Sequence, residues 1–294
     1  MRFCSRWVGS LCLGLCLSAG ALAALELQKK RSNDDDLAIT GPFGSIPAGE
    51  TRYITRAELS GLAGFTKLRE KILPNFPEAE LGVLPLSALL ALLPPGEGMD
   101  GLVLVCSDRW QSVLPLSFIK SYDPFLLITY EGRTPDQGWP RFSAVEAFAP
   151  YFVSVSSAAH PKFNGVIEEG MISATQLVEI RAVNVQQHYA PFYAGALAAL
   201  GEKAAAGRKV FIRECNNCHE GPGGVGGNTS QRPLMLLQTH AALNEDFFRK
   251  MVRRPKDIYP NTVMPPHEYF TEETFSALLA FLRESRAVMV PATP

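Results

Sequence analysis

Charge of either sign is in short supply here: charged residues make up 19% of the 294, and 28 Lys and Arg are balanced by 29 Asp and Glu, with five His. No basic excess is available to hold a phosphate backbone, so nucleic acid is not expected as a partner. Cysteine is scarce as well. Of six, Cys4, Cys12 and Cys16 crowd the start of the chain and only Cys106, Cys215 and Cys218 remain. That leaves no disulfide framework to staple a fold. No internal repeat is visible, and the pattern Cys-x-x-Cys-His occurs once.

The N-terminus gives the compartment. Arg2 and Arg6 precede an apolar run over 7–22, and Ala21-Leu22-Ala23 places small residues at both cleavage positions. Residues 1–23 are expected to be a signal peptide, cleaved after Ala23, which directs the chain to the periplasm. The rival is an uncleaved anchor helix, for which the run is short of a span of about 20 residues. Contact with the membrane is expected only in that case. Neither Cys12 nor Cys16 follows a small residue as lipidation would require.

Cys215-Asn216-Asn217-Cys218-His219 is the attachment pattern of a c-type haem. Two thiols at this spacing can each add to a vinyl group, and the adjacent imidazole can turn to the iron. A structural zinc would require four Cys or His ligands in paired clusters, and no second pair is present. A thioredoxin-like pair would require a following helix, whereas 221–227 is Gly-rich. Removing the cysteines of the leader and of the haem leaves Cys106 alone, at the end of the apolar run 102–105, and a buried inert thiol is expected there.

A second iron ligand is sought downstream. Met264 is followed by Pro265, which restrains the loop and helps to hold a sulfur in place. Met235, Met251, His240 and His267 are the competitors. Met/His ligation raises the reduction potential, which suits an electron carrier; bis-His ligation is the alternative.

The flanking segments predict helices. Residues 202–214 place Ala206, Val210 and Phe211 at helical spacing. Asn244 precedes Glu245 and Asp246 and opens a second helix, which must end before Pro255. Thr271 caps a third, with Glu272 and Glu273 in its first turn and Phe275, Leu278, Leu279 and Leu282 on its apolar face.

On Gly207, Phe211, Cys215, Cys218, His219, Met264-Pro265 and the closing helix, residues 202–286 resemble a class I cytochrome c domain. The resemblance implies an all-α fold, one covalent haem c, His219 and Met264 as axial ligands, and a Pro carbonyl that accepts the His219 N–H. Pro233 is the position carrying that last role.

About 150 residues are left over, enough for a second core. After a linker over 24–46, residues 47–190 are expected to form a β-rich α+β domain. Thr55 and Glu58 make a capping box. Residues 101–106 and 111–116 read as strands joined by the turn 107–110, with further strands at 125–130, 151–156 and 178–185. A second linker covers 191–201, and 287–294 is a tail.

The segments Leu84-Pro85-Leu86-Ser87-Ala88-Leu89-Leu90, 106–116, 126–132 and Gly138-Trp139-Pro140-Arg141 resemble the molybdopterin-binding domain of the sulfite oxidase family. Catalytic members ligate molybdenum through a Cys well before the Asp108 segment, and no Cys stands between Cys16 and Cys106. Molybdopterin is therefore not expected, and no catalytic residue is assigned. The expected function is periplasmic one-electron transfer, with the N-terminal domain docking a redox protein. The alternative is the haem-containing part of a molybdopterin-dependent oxidoreductase. Arg249, Lys250, Arg253, Arg254 and Lys256 crowd one stretch and form either a docking face or a solvated helix face.

Overall fold

A computed structural model describes residues 25, 27–44, 46–47, 49–73, 76–141, 148–161, 166–167, 170–171 and 174–289. The expected leader lies outside them. Among the described residues no helix is long and apolar enough to cross a membrane.

The N-terminal part is built on two main sheets. Its elements run β1 (Leu37–Thr40), β2 (Arg52–Ile54), α1 (Arg56–Gly61), β3 (Thr66–Lys71), β4 (Glu78–Pro85), α2 (Leu86–Leu92), β5 (Gly101–Cys106) and β6 (Gln111–Pro115). Then come α3 (Leu116–Tyr122), β7 (Phe125–Tyr130), β8 (Phe152–Ser154), β9 (Val166–Ile167), β10 (Gly170–Met171), β11 (Leu177–Val183) and α4 (Val185–His188). One sheet has the order β2-β1-β11-β5-β6 and the other β3-β4-β7-β8, while β9 and β10 pair separately. The expected β-rich α+β character is present.

Local chemistry accounts for much of this. Thr55 accepts from Glu58 N–H at 3.2 Å while the Glu58 carboxylate takes Thr55 N–H at 2.7 Å, closing the capping box of α1. Pro85 and Pro115 stand at the N-caps of α2 and α3, where no donor is required. Continuous apolar runs form β5 and β7, and their side chains are buried with those of β1 and β11. The side chain of Arg56 joins the layers. It donates to the carbonyls of Ile128 and Pro150, each at 2.7 Å, and lies over the Tyr151 ring.

Two boundaries differ from expectation. The linker expected over 24–46 contains β1, which lies between β2 and β11, pairs with β11 in parallel and has Leu37 and Ile39 in the core. Asp36, just before it, is buried but accepts from Ser32 N–H, Ser32 Oγ and Asn33 N–H, so the acidic run turns back on itself instead of extending into solvent. The linker expected over 191–201 forms two 3-10 turns, Ala190–Tyr193 and Gly195–Ala199. Phe192 and Leu197 are buried, Phe192 among Phe211 and Phe281. An aromatic side chain buried in this way belongs to a domain core.

The C-terminal part is helical: α5 (Glu202–Glu214), α6 (Leu234–Leu243), α7 (Glu245–Arg253) and α8 (Glu272–Met289). Asn244 caps α7 by accepting Phe247 N–H, and Thr271 caps α8 by accepting Thr274 N–H, each at 3.1 Å. Helices α5 and α8 pack closely. A Cβ at Gly207 would stand 1.8 Å from the Ala277 carbonyl oxygen, so only glycine permits this crossing. The last helix extends three residues past the expected end of the domain.

Candidate haem site

Helix α5 delivers the motif. It ends at Cys215, whose N–H returns to the Phe211 carbonyl, and a tight turn follows in which Cys218 N–H and His219 N–H both reach the Cys215 carbonyl, at 3.1 and 2.9 Å. Asn216 is buried, and its side-chain amide donates to the carbonyls of His219 (3.1 Å) and Val225 (2.8 Å). It ties the motif to the Gly-rich loop, which must come close: a Cβ at Gly226 would lie 2.1 Å from the Asn216 amide nitrogen, and its φ is 99°. Sequence reasoning did not single out Asn216, since the two positions between the cysteines carry no signature of their own.

His219 is buried, with Nδ1 2.9 Å from Ser230 Oγ. Burial pushes its pKa down to about 4, so the imidazole is neutral at neutral pH and can offer a nitrogen lone pair. Ser230 stands at the ring nitrogen for which the Pro233 carbonyl was expected. The Pro233 carbonyl accepts Leu236 N–H at 2.9 Å, because Pro233 is the N-cap of α6 and its carbonyl is committed to the first helical turn.

Cys215, Cys218 and His219 line a cavity of about 560 Å³, a volume ordinary for a bound cofactor. Met264, the competitors Met251, His240 and His267, and apolar side chains from α5 to α8, among them Phe211, Phe248, Leu278 and Leu282, line the same space. Met264 packs against the helical core, and its N–H is held by Thr262 Oγ1 at 3.2 Å. Met235 is absent from the lining and 59% exposed.

The residues fit a haem. The walls are mostly apolar, Cys215 and Cys218 are half-buried among them, and burial raises the pKa of the Cys215 thiol. Two buried polar atoms at the cavity, Thr229 Oγ1 and His267 Nδ1, have no partner among the described residues, as expected where a polar-edged cofactor belongs. No cluster of three or more His, Cys, Asp or Glu suited to a metal ion occurs among the described residues. The zinc alternative for Cys215 and Cys218 therefore finds no further ligands there.

Residues 202–282 match the family model described as cytochrome C oxidase, cbb3-type, subunit III. The C-terminal region is a cytochrome c domain. Such a domain implies covalently bound haem c and haem-based electron transfer. The match stops short of the strand-rich N-terminal region, and no curated protein matches the chain.

Outside the cytochrome c domain, Cys106 is buried in the N-terminal core, and burial holds its thiol well above the ordinary pKa, as expected of an inert side chain. The basic stretch of α7 is largely ion-paired. Arg249 meets Glu245 at 2.7 Å and Glu272 at 2.8 Å, Arg253 also meets Glu272, and Arg254 meets Glu268 at 2.8 Å. Lys250 and Lys256 are exposed and without an ion pair among the described residues, which favours the solvated helix face.

Proposed function

We propose that this protein is a periplasmic one-electron carrier whose single haem c is bound through Cys215 and Cys218, with His219 and Met264 as its axial ligands. The observation that carries the reading is that one apolar cavity is lined by both thiols, by His219 and by Met264. The haem supplies an iron that alternates between ferric and ferrous states. The chain does the rest: Ser230 fixes the imidazole, and Thr262 steadies the backbone of Met264. Phe211, Phe248 and Leu282 keep water from the walls, which favours the less charged ferrous state.

The N-terminal domain is read as the part that docks a redox protein in the periplasm. In support, its resemblance to a molybdopterin-binding domain comes without the metal-ligand Cys, and its Cys106 is buried. A retained surface is more consistent with this than a retained reaction. Metal analysis and reductive titration test the reading together. One iron and one electron per chain, without stoichiometric molybdenum, is the expected result. Molybdenum bound in a one-to-one ratio, or haem reduction on addition of sulfite, would replace electron carriage with catalysis.

A further inference from the structure

The strand-rich domain does more than sit beside the haem domain. In the five-stranded sheet β6 is an edge strand, which normally presents unpaired donors and acceptors. Here that edge meets the haem-attachment loop. The Gln111 N–H donates to the carbonyl of Asn217, the second of the two residues between the haem cysteines, at 3.0 Å. At the tip of the β5–β6 hairpin the Arg109 carbonyl accepts Asn228 N–H at 2.8 Å, and Arg109 holds φ 73°, a left-handed backbone unusual for a residue with a side chain. Between these bonds lies Gly227, where a Cβ would stand 1.7 Å from the Asn217 carbonyl oxygen and 2.9 Å from that of Arg109. Cys218 packs against the core of the N-terminal domain, whereas Cys215 packs against that of the haem domain.

We propose that the β5–β6 hairpin is a clamp on the haem-attachment loop, in which Arg109 and Gln111 are positioning residues that fix His219 from outside the cytochrome c domain and so help to set the reduction potential. Asn217 stands two residues before His219, and Asn228 two residues before Ser230, whose hydroxyl meets the His219 ring. Two main-chain bonds, one from the sheet edge and one from the hairpin tip, therefore restrict the chain just before each of these two residues. Loosening them admits water to the iron's surroundings, which favours the ferric state and lowers the potential.

The proposal rests on haem attachment at Cys215 and Cys218, which is read separately from the haem retained by the same samples after denaturation. In the full-length holoprotein, Gln111→Pro deletes the donor to Asn217, and it spares the pairing with β5 because this N–H points away from that strand. The expected result is retained covalent haem, a lower midpoint potential, and exchange of the Asn228 amide roughly tenfold faster, the effect of about one lost hydrogen bond. A Gln111→Pro protein with wild-type potential and wild-type exchange overturns the clamp. Should that variant fail to fold, the wild-type chain still decides: the Gln111 and Asn228 amides are expected to be protected, and exchange at the rate of an unstructured peptide overturns the proposal.

Discussion

The Arg208 guanidinium, buried in the first helix of the cytochrome c domain, donates to the main-chain carbonyls of Leu197 at 2.8 Å and Phe192 at 3.1 Å. A cation in a core thus takes its partners from residues that precede the helix, and it lies over the Tyr193 ring at 4.1 Å. The haem domain therefore begins before Glu202. A fragment starting at residue 202 strands this charge and loses Phe192, whereas one starting at 188 keeps both. Expressed in a host that attaches haem, the longer fragment should give folded, haem-loaded protein and the shorter one much less. In the full chain, Phe192→Ala should cost about 3–5 kcal/mol, read from chemical denaturation.

Helix packing gives a second test. Because the Gly207 position faces the Ala277 carbonyl with no room for a methyl group, Gly207→Ala must push α5 away from α8. The expected loss is at least the 1–3 kcal/mol typical of overpacking, visible as a lowered thermal midpoint. An unchanged midpoint would mean that the helices cross more loosely than described.

Asp36 supplies a pH dependence. Burial pushes its carboxyl up, but hydrogen bonds from Asn33 and Ser32 outweigh that and place its pKa below the ordinary 3.8. A carboxyl depressed on folding stabilises the native state above its unfolded pKa, and that stability is lost as pH falls through the folded value. Asp36→Asn should therefore narrow the stability gap between neutral pH and about pH 3, measured by thermal melts across that range.

Ligation is tested by spectroscopy. With Met264 on the iron, the oxidised protein should show a weak near-red sulfur-to-iron band, which Met264→Ala abolishes while lowering the potential. His267→Leu should leave the band in place. A wild-type spectrum of bis-His type would instead assign the ligand to His267 or His240, both of which line the cavity.

What was legible in the sequence follows the chemistry of each residue. Cys215, Cys218 and His219, which line one cavity, stood out in the sequence because attachment chemistry dictates residue type and spacing. Thr55, Asn244 and Thr271 were legible because a helix end left without a side-chain acceptor is costly. Ser230 at the His219 ring was not legible because a Gly-rich loop has no periodicity to fix its register. Strand β1 was hidden by the three aspartates before it, and β3 by its charge: Thr66-Lys67-Leu68-Arg69-Glu70-Lys71 is an edge strand with much of its surface in solvent. The bonds of Arg109 and Gln111 to the haem loop are main-chain bonds, which no side-chain pattern announces.

The central claim is that haem is covalently bound at Cys215 and Cys218, and a haem-stained denaturing gel tests it most directly. Wild-type protein is expected to carry its haem through denaturation, and Cys215→Ala combined with Cys218→Ala to lose it. Haem absent from the denatured wild type, or retained in the double variant, would contradict the account.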